Sequence, residues 1–333
     1  MQGMAFCGHK VVELNRDPTN IILQGLTQTE NQVFTVPVCG EGTVSEFAVP
    51  TSGSQPLDIT AGPDGNLWFT ENTGDNIGRI TPSGMITEFP VPTSTSQPYG
   101  ITAGPDGNLW FTEANGSKIG KVTPGGIITD YAIPTTSAAP TYITSGPDGD
   151  LWFTELGGNK IGRITTSGTF TEFSVPPVAV SLWTSLLALT ATCGSPKTRA
   201  TKIGRITPSG TITEFTIPTS NSEPVGITAR PDGNLWFTEA LSNKIGKITP
   251  GGIITEYAVP TSNSQPEKIT TGPDGNLWFT EDAGNKIGRI TTSGTFTKYA
   301  IPSGSEPVGI TAGPDGNVWF TDDGSNNIGR IVP

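Results

Sequence analysis

The sequence predicts an all-β chain: a seven-bladed β-propeller with four-stranded blades, the ring closed by an N-terminal strand that completes the last blade. Three observations carry this. A repeat of 42 residues runs through the chain, each repeat holds four strand-like segments, and one such segment stands alone ahead of the first repeat.

The repeat has two blocks. "GPDGNLWFTE" or a close variant begins at residues 62, 104, 146, 230, 272 and 313. "IGRI" or a variant begins at Ile77, Ile119, Ile161, Ile203, Ile245, Ile287 and Ile328, at intervals of 42, 42, 42, 42, 42 and 41. The second block thus occurs seven times and the first six times, and the repeats are numbered 1 to 7 below.

Each element follows from its residues. "GITAG" is a first strand. "PDGN" is a turn, since Asp and Asn favour turn geometry and Gly accepts positive φ. "LWFTE" is an unbroken apolar run, the mark of a strand buried on both faces. "KIGRITP" is a third strand, "SG" or "GG" a turn, and "TITEFPVP" a fourth strand. No helical periodicity competes. The chain ends on the third strand of repeat 7, "NIGRIVP", and the lone "TVSEFAVP" (residues 43–50) supplies the strand missing there. Residues 43–333 are therefore the propeller and residues 1–42 a separate N-terminal segment.

Repeat 4 departs from the pattern. "VAVSLWTSLLALTATCGSPKTRATK" (residues 178–202) fills the place of a strand-turn-strand unit without changing the repeat length. Back-translated with permitted codons and read in the neighbouring frame, residues 184 onward become "DITAGPDGNLWFTENTS". We infer a one-base deletion near Pro177 compensated by an insertion near Thr201, so that blade 4, about residues 177–202, is frame-shifted and Gly194 stands where the buried Trp belongs. Resequenced DNA showing no shift of frame between this stretch and its neighbours would remove that inference.

Bulk properties exclude several classes. The chain has 333 residues, a net charge of −11 and a pI near 4.6. With no basic patch, nucleic acid is not an expected partner. No apolar run reaches the roughly 18 residues of a membrane helix, so no membrane partner is expected. A monomer is expected. No signal-peptide pattern opens the sequence, which as written reads as cytoplasmic, with secretion open if the N-terminus is incomplete. Cys7, Cys39 and Cys193 lack metal-ligand spacing, and a Cys7–Cys39 disulfide is left open.

The blocks "GPDGNLWFTE" and "NKIGRITPSGTITEF" and the pattern "P-x-x-IT" resemble the streptogramin B lyase (virginiamycin B lyase) family of seven-bladed propellers, over residues 43–333. The resemblance implies Mg²⁺-dependent elimination across the ester of a cyclic depsipeptide antibiotic. It places the site at the channel mouth, on the residue after the Pro of "P-x-x-IT" and on the acid of "WFTE". In active members the former is His in the last two blades. Here the post-Pro residues are Leu57, Tyr99, Thr141, Val225, Glu267 and Val308, and the two positions matching those histidines are Glu267 and Val308. The only histidine, His9, lies outside the repeats. The implied metal-side pair is matched by Glu306 and Asp322. Glu267 and Asp322 are thus the catalytic candidates, although a carboxylate with an ordinary pKa near 4 is a poor base.

Other candidates come from the repeat itself. The acids Glu71, Glu113, Glu155, Glu239, Glu281 and Asp322 end the second strands. Either they ring the channel as cation ligands, or each pairs with the lysine five residues on (Lys118, Lys160, Lys244, Lys286). Glu71 and Asp322 have Asn76 and Asn327 at that position, which leaves them for a ligand. Tyr99 and Tyr142 are either ligand-stacking residues or strand-end caps. Leu57, Tyr99, Tyr142, Glu71 and Val308 form the ligand-binding set. The expected function is a ligand-binding propeller taking a small molecule, glycan or peptide at the channel mouth. A Mg²⁺-dependent lyase and a structural repeat module are the alternatives.

Overall fold

A computed structural model describes residues 9–11, 35–37, 40–175, 181–184, 201–302 and 304–333. The cysteines and Gly194 lie outside these residues. Among those described there is no helix, and the chain is an all-β propeller. Repeats 1, 2, 3, 5, 6 and 7 each build a four-stranded antiparallel sheet. In repeat 1 the strands are Pro56–Ala61, Leu67–Glu71, Asn76–Ile80 and Ile86–Pro90, in simple meander order. The predicted orphan strand, Val44–Ala48, pairs with Asn327–Ile331 and completes the sheet of repeat 7.

Repeat 4 differs. Its sheet has three strands, and Ser181–Thr184 pairs parallel with Lys202–Ile206 where every sister sheet has an antiparallel second strand. His9–Val11 pairs with Thr35–Pro37 in a two-stranded sheet of its own.

The first strands of repeats 5, 6, 7, 1, 2 and 3 touch one another in that order, so they line the axis of the ring. Each begins at a Pro and is bulged before its Ile, as between Pro266 and Ile269. A threonine on the second strands of repeats 1, 2, 5, 6 and 7 ties neighbouring sheets together: Thr70 Oγ1 donates to Tyr99 O and Thr321 Oγ1 donates to Leu57 O, the latter joining repeat 7 to repeat 1.

The core lies between sheets. Trp68, Ile77 and Val91 of repeat 1 pack on Ile101, Leu109, Phe111 and Val122 of repeat 2. Trp319 and Ile328 of repeat 7 pack in the same way on Ile59, Leu67, Phe69 and Ile80. Each Trp stacks on an outer-strand ring, as Trp68 does on Phe89 with centroids 5.4 Å apart. Except in repeat 5, its indole nitrogen donates to the Asp of the "PDG" turn, as Trp68 Nε1 does to Asp64 Oδ1 at 3.1 Å. That Asp therefore locks the buried Trp as well as forming the turn.

Candidate functional site

Because the repeats are so alike, chemistry must come from positions that differ. On the axis-lining strands these are the two residues after the Pro. The bulge lets both side chains of one strand reach the same surroundings. Lys268 Nζ of repeat 6 lies 3.9 Å from the ring centroid of Tyr142 in repeat 3, so it reaches across the bore. It also lies 3.8 Å from Asp58 Oδ1 in repeat 1. The Tyr142 ring meets Tyr99 edge-on, with centroids 5.5 Å apart. Burial raises the hydroxyl pKa of both tyrosines, and the charges of Glu267 and Asp58 add to the rise. Asp58, Tyr99, Tyr142, Glu267 and Lys268 are thus one cluster drawn from four repeats. Asp58 and Lys268 were not among the sequence candidates. Their signal was there: both stand where repeats 2, 5 and 7 have Gly100, Gly226 and Gly309.

Glu267 corrects an expectation. Burial pushes its carboxyl up to about 7, with Asp282 and Glu223 adding and Lys268 opposing. The ordinary value near 4 does not apply in this position. Leu57 and Val308 sit partly buried on the same ring, their carbonyls accepting from Thr321 and Thr280 of the preceding sheets.

Beside Glu267 the rim is acidic. A cleft of about 400 Å³ is lined by Gln265, Asp282, Asn285, Gly304, Ser305 and Glu306. Burial raises the carboxyls of Asp282 and Asp323, and Glu306 raises both further. Glu306 and Asp322 do come together, but through the backbone: Glu306 N donates to Asp322 Oδ1 at 3.0 Å, as does Ser325 N at 3.2 Å. Asp322 is fully buried and its Oδ2 has no partner. Among the described residues no group of three or more His, Cys, Asp or Glu side chains is arranged to hold a metal ion. Mg²⁺ keeps several waters and needs only one or two carboxylates, but those must face its water shell, and Asp322 is fully buried with Oδ1 taken by two amides, which leaves Glu306 alone. The residues present do not fit the Mg²⁺ that the resemblance implies.

The second-strand acids are corrected in both readings. Glu71, Glu113, Glu239 and Glu281 are completely buried and Glu155 is 1% exposed, so they do not ring the channel as open ligands, and Glu71 does not meet a ligand at the mouth. The lysines do oppose them in register, Lys118 across from Glu113. Their ion pairs, however, go to the outer strand: Lys160 to Glu172 at 2.9 Å and Lys244 to Glu256 at 3.3 Å. A Thr hydroxyl holds Lys118, Lys160 and Lys244 from the other side, as Thr135 Oγ1 does for Lys160 at 2.6 Å, whereas Lys286 donates to Gly284 O at 2.9 Å. Glu71 Oε2 instead accepts from Asn76 Nδ2 at 3.2 Å.

Comparison with known proteins follows this geometry. The model of the virginiamycin B lyase family matches residues 26–186 and 195–333. The virginiamycin B lyase of Staphylococcus aureus is 41% identical with a TM-score of 0.79, over 87% of this chain and 99% of that one. A streptogramin B lyase structure is 40% identical with a TM-score of 0.80, over 87% and 97%. A catalytically inactive histidine-to-alanine variant of the Staphylococcus aureus enzyme with quinupristin is also 40% identical, TM-score 0.80, over 87% and 99%. With that match along most of its length, the chain belongs to the virginiamycin B lyase family.

Proposed function

We propose that this chain is a seven-bladed member of its family that binds a streptogramin B-type depsipeptide at the channel mouth and does not run the family's metal-assisted elimination. The observation that carries the reading is the convergence of Tyr99, Tyr142, Glu267 and Lys268 on the axis. Aromatic and apolar walls with a few polar anchors are the usual make-up of a ligand site. The quinupristin-bound relative, at 40% identity, supports the ligand class. Support for seven blades comes from repeat 4, whose third strand and outer strand pack on repeat 5 through Ile203 and Ile217.

One observation favours a second reading, ring opening with Glu267 as base. A carboxyl at about 7 holds and releases a proton near neutral pH, which general-base catalysis needs. Incubation with quinupristin, with and without Mg²⁺, followed by liquid chromatography and mass spectrometry separates the two. The binding reading expects intact antibiotic. A new peak of unchanged mass, absent with Glu267→Gln, establishes elimination and overturns it.

A further inference from the structure

Lys268 differs from the lysines that open the third strands. Lys118, Lys160, Lys202 and Lys244 each have a hydroxyl or carboxylate oxygen within 2.6 Å of Nζ. Among the described residues nothing lies within hydrogen-bonding distance of Lys268 Nζ. Asp58 Oδ1 lies 3.8 Å away, and the Tyr142 ring lies 3.9 Å away, measured to its centroid. An ammonium has three N–H donors, and with its side chain 18% exposed Nζ stays open to the bore, where a ligand oxygen can take the place of solvent.

The backbone has been shaped to put it there. The second residue after the Pro alternates around the axis as Asp58, Gly100, Tyr142, then Gly226, Lys268, Gly309. A Cβ on Gly226 would lie 2.8 Å from Lys268 Cα, and one on Gly309 would lie 3.0 Å from Asp58 Cα. At each glycine the neighbouring strand's backbone comes too close for a side chain, so at this position Asp58, Tyr142 and Lys268 reach the bore, joined there by Tyr99 and Glu267 from the position before.

We propose that Lys268 anchors a subsite in the bore for a neutral carbonyl oxygen carried next to an aromatic ring, as in an aromatic amide or ester. The cation supplies the unused donors, and Tyr99 and Tyr142 supply the ring surface. An anion is disfavoured by Asp58 beside the ammonium and by the adjoining Glu267, which itself feels Asp282 and Glu223. The subsite is part of the proposed depsipeptide site; the inference rests on that reading and deepens it by naming what these residues accept.

The test uses the full chain labelled with ¹³Cε-lysine, titrated with benzamide and separately with benzoate. Lys268 is identified by the cross-peak lost in Lys268→Met, and it should already be displaced upfield by the Tyr142 ring. Benzamide should shift this peak saturably, and Tyr142→Ala should weaken its half-saturation at least tenfold. Lys268→Arg should retain binding, as judged by tyrosine ring shifts. No shift with benzamide, or a response to benzoate alone, overturns the subsite. Quinupristin should then displace benzamide. If benzamide binds and quinupristin fails to displace it, the subsite stands and the depsipeptide reading falls.

Discussion

Repeat 5 carries Arg230 where five sister repeats have Gly. In those sisters a Cβ would collide with the Trp, 2.4 Å from Trp68 Cδ1 at Gly62 and 2.3 Å from Trp278 Cδ1 at Gly272. Arg230 must push the turn aside, and Trp236 Nε1 is left buried without a partner while Arg230 Nε and Nη1 share the same fate. Arg230→Gly should restore the bond to Asp232, a gain of about 1 kcal/mol, partly offset by roughly 0.5 kcal/mol for glycine's looser unfolded chain. A higher Tm and a displaced Trp236 indole N–H resonance are expected, and a lower Tm would contradict the account. The substitution was legible in the sequence, and its cost was not, because it depends on where the Trp ring lies. The same holds for Glu267. Its position was readable, but burial and neighbouring charge, not residue type, set its proton affinity.

At the level of the strand, "LWFTE" places a carboxyl at a fully buried end. Burial raises Glu71, Glu155 and Glu239 from 4.5 to about 7, and raises Glu113 as well. A carboxyl whose folded pKa exceeds its unfolded value binds more protons when folded. Stability should therefore be greatest below about 4.5 in these groups' contribution and be lost as pH rises toward 7. The Tm should be higher at pH 5 than at pH 8. Glu155→Gln, which cannot ionise and whose parent oxygens have no partner, should raise the Tm at pH 8 and flatten the slope. A Tm that climbs from pH 5 to pH 8 would refute this. Strand order and the buried run were legible from the unbroken apolar "LWFTE" and the turn residues around it. The lysine partner was not, because register alone places Lys160 opposite Glu155 while the side chain turns to Glu172 on the next strand.

The whole ring depends on how its ends are joined. Val44–Ala48 belongs to the sheet of repeat 7 although nearly the entire ring separates them in sequence. Phe47 stacks on Trp319 at 5.6 Å and Arg330 lies 5.5 Å over it. Phe47→Ala should cost about 3 kcal/mol, the lower end for a core Phe since this ring is partly exposed. Urea unfolding would measure it, and a change under about 0.5 kcal/mol would mean the strand does not close the ring. Closure was legible in the sequence because the ends of the repeat are complementary. The cluster of Asp58, Tyr142 and Lys268 was not, because it joins residues of repeats 1, 3 and 6 that only the circular arrangement brings to one axis.

Calorimetric titration of the full chain with quinupristin, with the antibiotic recovered and chromatographed afterwards, tests the central claim most directly. The account predicts saturable one-to-one binding, weakened at least tenfold by Tyr99→Ala, with the antibiotic recovered unchanged. No heat of binding, or binding indifferent to Tyr99, would contradict it.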